Sequence, residues 1–81
     1  MTYLAVFRSR AQALDYISAL KRAGVPTQAV NTPKEAGVGC GISARFDDCF
    51  LSRARAVLAS YPYSAFVGFM RRTPYGYERT G

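Results

Sequence analysis

"GISARFDDCFLSRARAVLASYP", residues 41–62, contains the change of period that decides the fold. Ile42, Ala44 and Phe46 alternate with Ser43 and Arg45, the two-residue repeat of a strand covered on one side. Beyond Asp47 the repeat lengthens. Leu51, Ala54, Leu58 and Tyr61 recur at helical steps, Asp47 or Asp48 stands where a cap is needed, and Pro62 closes the stretch.

The same alternation of elements extends in both directions. "TYLAVF", residues 2–7, is rich in β-branched and aromatic side chains and predicts a first strand. Ser9 followed by Gln12 has the form of a capping box, and Ala13, Tyr16, Ile17 and Leu20 give a helix over 10–23 one apolar stripe. Gly24 and Pro26 end it. "TQAVNT", residues 27–32, is a short second strand, and the stretch 33–41 is a loop. "AFVGFM", residues 65–70, is a last strand, and the proline, glycines and charges of "RRTPYGYERTG" predict a loose end. The order strand, helix, strand, strand, helix, strand implies two right-handed crossover units. The expected architecture is therefore a ferredoxin-like βαββαβ α+β sandwich, a four-stranded antiparallel sheet with two helices on one face. It spans residues 1–72, with 73–81 as a flexible C-terminal tail.

At 81 residues the chain holds one small core, and its six Tyr and five Phe mark it as globular. Histidine is absent, which removes a histidine general base, a Ser-His-Asp or Cys-His pair and an imidazole metal ligand. No metal site and no cofactor are expected, and Asp47-Asp48 is read as a cap rather than a divalent-ion site. No apolar run is long enough for a membrane span, and "MTYLAVFRSR" lacks the layout of a signal peptide. The expected location is cytoplasmic, with no membrane contact. The net charge of +6 is spread over turns and helix faces.

Two cysteines are present. Cys40 stands in "GVGCGI", between Gly39 and Gly41, where the backbone can turn tightly and gather amides around a thiolate. Lys34 and Arg45 are candidate cations to assist its ionisation if the loop folds over them. The alternative is a small apolar residue that opens a strand, with the glycines present only for a turn. Cys49 falls at the start of the second helix, beside two aspartates that oppose the helix dipole, and reads as a partly buried helix residue. An extended segment between the two thiols separates them by roughly 20–30 Å, beyond disulfide reach.

The layout "YLAVFRS", "LKRAGVP", "NTPKE" and "GCGISARF" resembles a small bacterial family of selenium/sulfur carrier protein-like domains, a domain of unknown function. The likeness runs from Tyr3 to about Leu58. It departs at Gly37, Val38 and Gly39, where the family carries small hydroxyl residues. The resemblance implies that Cys40 is the carrier thiol, holding sulfur or selenium as a persulfide or selenosulfide, with Gly39, Gly41, Lys34 and Arg45 around the cargo. It implies a non-catalytic carrier, served by a donor such as a cysteine desulfurase and relieved by an acceptor protein.

Two other readings stay open. An open sheet face bearing Tyr3 and Phe7, together with the positive charge and Arg71-Arg72, would suit RNA, although these two aromatics read more simply as a packed or dimer-covered face. "SAFVGFM" shares the last positions of an RNA-recognition motif but lacks its front, and it lies on the fourth strand rather than the third, so nucleic acid is not the favoured partner. The third reading is a regulatory or assembly module whose open face is covered in a homodimer.

Overall fold

A computed structural model describes residues 1–37 and 41–80. The elements are β1 (Thr2–Phe7), α1 (Arg10–Arg22), β2 (Gln28–Asn31), a 3-10 turn (Lys34–Ala36), β3 (Ile42–Asp47), a second 3-10 turn (Asp48–Phe50), α2 (Leu51–Ser60), β4 (Phe66–Thr73) and β5 (Gly76–Thr80). The strands form one sheet in the order β2-β3-β1-β4-β5, and every neighbouring pair is antiparallel.

β1 lies at the centre, so its alternating side chains are buried on both faces. Tyr3, Ala5 and Phe7 point towards the helices, where they meet Tyr16, Ile17 and Leu20 of α1 and Ala54 and Val57 of α2. Both helices therefore pack on one face, as the crossover argument predicts. Leu4 and Val6 point the other way and join Met70 of β4.

α1 begins at Ser9, whose hydroxyl accepts from the Gln12 amide at 3.2 Å. Only half of the expected capping box forms. The Gln12 side chain turns instead to the chain entering β4, donating to Ser64 Oγ at 3.0 Å and accepting from the Ala65 amide at 2.9 Å. A local motif has been diverted into a tertiary one. At its other end α1 stops before Gly24, which has a φ of 83°, a left-handed conformation that glycine adopts without a Cβ clash. In α2 the buried positions are Ala54 and Val57, with Leu51 and Leu58 partly covered. Tyr61, expected in the apolar stripe, is 45 % exposed, because the backbone becomes extended at that residue and the helical direction is lost.

The stretch expected as a tail carries a fifth strand, and this corrects the four-stranded sheet. β4 runs on to Thr73 and turns through Pro74 and Tyr75 into β5, which pairs with it from Phe69↔Thr80 to Thr73↔Gly76. The Thr73 hydroxyl accepts from the Tyr75 amide and donates to the Gly76 carbonyl, both at 3.2 Å. Arg71 and Glu78, opposite each other in the register, form an ion pair. Proline and glycine serve here as a hairpin turn rather than as the mark of an unstructured end.

The second sheet face is not open as expected. The connection from β2 to β3 crosses it, and Ala36 of the 3-10 turn packs with Leu4, Val6 and Met70, with Tyr77 of β5 against the same cluster. The Glu35 carboxylate accepts from the Tyr77 amide at 3.1 Å. That bond and Glu35's own amide hold its carboxyl below the ordinary range, its own amide contributing most. Gly76 is favoured at the same point by its φ of 130°, and a Cβ there would push the Glu35 carboxylate from its place.

Tyr16 joins the two helices. Its side chain is fully buried, its ring packs on Phe7 at 5.2 Å between centroids, and its hydroxyl donates to the Ala54 carbonyl at 2.8 Å. Burial pushes its ionisation far above the usual phenol range. Tyr16→Phe is expected to destabilise the fold by about 1 kcal/mol, and Tyr16→Ala by roughly 3–5 kcal/mol. Urea unfolding followed by circular dichroism checks both.

Candidate functional site

The loop between β2 and β3 is closed at its base by a short polar ladder. Asn31 and Ile42 form the last strand pair. Beyond them the Thr32 amide donates to the Gly41 carbonyl at 3.0 Å. The hydroxyls of Thr32 and Ser43 share a hydrogen bond of 2.7 Å, and Ser43 is fully buried. A buried hydroxyl without a partner would be costly, so this pair fixes the register where the loop leaves the sheet. On its outgoing arm the loop makes the 3-10 turn and reaches Gly37, whose φ of 68° again suits glycine and whose amide donates to the Lys34 carbonyl at 3.1 Å. Glu35 and Ala36 tie this arm to the sheet face and to β5.

Of the residues expected at the site, Gly41 stands at the base of this loop and Lys34 opens its 3-10 turn. Cys40 and Gly39 lie outside the described residues. Arg45 sits four residues along β3 from Gly41, about 13 Å of extended chain, and its guanidinium donates to Gln28 Oε1 on β2. It belongs to a hollow at the other end of the β2–β3 pair, shared with Lys21, Thr27 and Asp47. Glu35, Thr32 and Ser43 were not expected as parts of this loop's frame. The first two fall within the quoted "NTPKE", and Ser43 was read only as the polar side of a half-covered strand.

Cys49 is an exposed free thiol, not the partly buried helix residue expected. It lies in the 3-10 turn ahead of α2, where its amide donates to Asp47 Oδ2 at 3.1 Å. A hydrogen bond to the Asp47 carboxylate, then desolvation and the charges of Asp47 and Asp48, push its thiol above the ordinary range. The Cys49 amide is in turn the main cause holding Asp47 down to about 2.

The aromatic residues of β1 are packed, as their simpler reading has it, and are not offered to RNA. Phe7 is fully buried on the helix side with Tyr16, Tyr63 and Phe66 around it, and Tyr3 stacks on Phe46 at 6.2 Å on that same side. Arg71 is engaged by Glu78. Among the described residues no helix is long and apolar enough to cross a membrane.

These features define a small α+β domain of two helices and a five-stranded antiparallel sheet, in which one loop is braced at its base and along one arm. The chain belongs to the selenium/sulfur carrier protein-like family, whose model, described as "Putative Se/S carrier protein-like", matches residues 2–65. The match includes the β2–β3 loop and ends before β4. No curated protein and no solved structure matches the chain.

With Cys40 replaced by Ala, alkylation of Cys49 is expected to accelerate only above the pH of an unperturbed thiol, and Asp47→Asn to shift that profile to lower pH. Iodoacetamide rates measured across pH check this. Because the carboxyl of Asp47 is more acidic folded than unfolded, the stability lost in Asp47→Ala is full above its unfolded pKa, about 4. That loss shrinks as pH falls through about 2. Thermal melts of both chains across that window check the sign.

Proposed function

We propose that the protein carries sulfur or selenium on Cys40, as a persulfide or selenosulfide, between a donor protein and an acceptor protein. The observation that carries this reading is the contrast between the chain's two thiols within the family match. Cys49 is pushed towards its protonated form by Asp47 and Asp48, which is the wrong state for a nucleophile. Cys40 stands between two glycines, next to the residue at which the loop base is closed. Membership of a family named for selenium/sulfur carriage supports the same choice.

The transfer is thiol exchange. The Cys40 thiolate attacks the outer sulfur of a donor persulfide, a bond forms between Sγ and that sulfur, and the donor's own sulfur–sulfur bond breaks. The donor leaves as a thiolate and takes up a proton, and Cys40 retains the terminal sulfur for the reverse exchange with an acceptor thiol. No net oxidant is consumed, and the step needs no histidine. With selenium as the outer atom the balance is the same. Gly39 and Gly41 would keep the cargo reachable, and Lys34, in the same connection, would be the cation to favour the anion. Such a thiol survives in a reducing compartment, so the site of action is cytoplasmic. The strand order β2-β3-β1-β4 supports a ferredoxin-like arrangement of residues 1–73, with β5 as an added edge strand.

Incubation with a cysteine desulfurase and cysteine is expected to add one sulfur to the chain by intact-mass measurement. The gain should be lost in Cys40→Ala and kept in Cys49→Ala. Equal labelling of Cys40→Ala overturns the assignment.

A further inference from the structure

The positive charge of this chain is not evenly placed. α1 and α2 together carry Arg10, Lys21, Arg22, Arg53 and Arg55 against the single acid Asp15, a net +4 of the chain's +6. All five acids of the chain are already engaged. Asp15 accepts from the Tyr63 hydroxyl at 2.7 Å, Glu35 from the Tyr77 amide, Asp47 from the Cys49 amide, Asp48 pairs with the Met1 amine, and Glu78 pairs with Arg71. Among the described residues no cation of either helix has a carboxylate partner. The helical layer therefore carries positive charge that no carboxylate of the described residues neutralises, although Arg55 lies over the Phe69 ring at 5.8 Å.

Two of these cations face one groove. Between the C-terminal half of α1 and α2 lies a hollow of about 480 Å³ bordered by Arg22 and Arg53, with Ala19, Ala23 and Ala56 among its lining. Arg53 is steadied there because its Nη1 donates to the Ala23 carbonyl at 3.4 Å, at the end of α1. Among the described residues its remaining guanidinium donors have no hydrogen-bond or ion-pair partner, nor has the Arg22 guanidinium, which acts only as a charge on Tyr63. A guanidinium presents a planar fork that matches a carboxylate in two parallel hydrogen bonds. Methyl-lined walls let another backbone approach closely. Single-stranded nucleic acid, by contrast, is held by aromatic platforms along a basic track, and this groove is bordered by Tyr61 alone of the aromatic residues.

We propose that the α1–α2 groove is a docking surface for an acidic protein segment, whose carboxylates are received by Arg22 and Arg53. The surface stands apart from the carrier reading, since it involves neither thiol, and its failure would leave that reading untouched. If both hold, charge attraction brings a partner to the helical face, away from the sheet face on which the Lys34–Ala36 turn of the β2–β3 connection packs.

The test is fluorescence anisotropy of a labelled polyglutamate peptide titrated with the full chain under reductant, at low and at physiological salt. A single-stranded RNA of equal charge is titrated in parallel. Binding is expected to fall by at least about tenfold in Arg22→Gln/Arg53→Gln, and by less in Arg22→Lys/Arg53→Lys, which keeps the charge but gives up the fork. Arg72→Gln/Arg79→Gln removes the same charge from the sheet side and is expected to change it less than about twofold. Arg22→Gln alone breaks no hydrogen bond of the fold, so it remains informative if the double variant melts early, and a loss of at least about threefold is expected from it. Equal losses from the two charge-matched pairs, tighter RNA binding with the same dependence on Arg22 and Arg53, or no peptide binding at low salt would each overturn the proposal.

Discussion

Double-sided burial of β1 is the constraint from which the rest of the structure follows. Leu4, Ala5, Val6 and Phe7 are all at most 1 % exposed, although consecutive residues of a strand point to opposite faces. A central strand of this kind requires cover above and below. The helices supply one cover through Tyr16, Ile17, Leu20, Ala54 and Val57. In so small a chain the second cover has to come from what is left, namely the β2–β3 connection and the last hairpin, and Ala36, Met70 and Tyr77 meet there. Fully burying a side chain such as Leu4, Val6 or Met70 contributes on the order of 1.5–3 kcal/mol, and the Lys34–Ala36 turn supplies part of their cover through Ala36.

That solution ties the candidate site to the fold. The connection that bears Cys40 leaves the sheet at Thr32 and returns at Gly41, and its outgoing arm is pinned to the sheet by Ala36 and to β5 by Glu35. One segment thus serves as core cover and as the frame of the candidate site. The hairpin that receives Glu35 lies beyond the residues matched by the family model. Support for the loop in this chain is completed by a part of the sequence that the family resemblance does not reach.

The charged groups divide along similar lines. Acids are consumed by local structure: Asp47 at a cap, Glu35 at a strand edge, Glu78 opposite Arg71. Cations are left over, and most of the excess falls on the helices. The same bookkeeping separates the two thiols, because Cys49 sits against the acids that begin α2 while Cys40 is in a segment whose nearest charged neighbours in sequence are Lys34, Glu35 and Arg45.

Period and punctuation in the sequence determined β1, α1, β2, β3, α2 and the start of β4, because strands and helices with one buried face write that face into consecutive residues. Gly24 and the cap at Ser9 are legible for the same local reason. Tertiary structure alone decided the rest. Gln12 left its capping box for Ser64 and Ala65, fifty residues away in the chain, and a three-residue turn at Lys34–Ala36 is too short to show a period. β5 alternates weakly because it lies at an edge and is only half covered, so its pairing depends on β4 being there to receive it. Membership of the carrier-like family could be read from local motifs, whereas the bracing of the site by Glu35 and Tyr77 could not, since that contact joins residues whose types give no sign of each other until the sheet has formed.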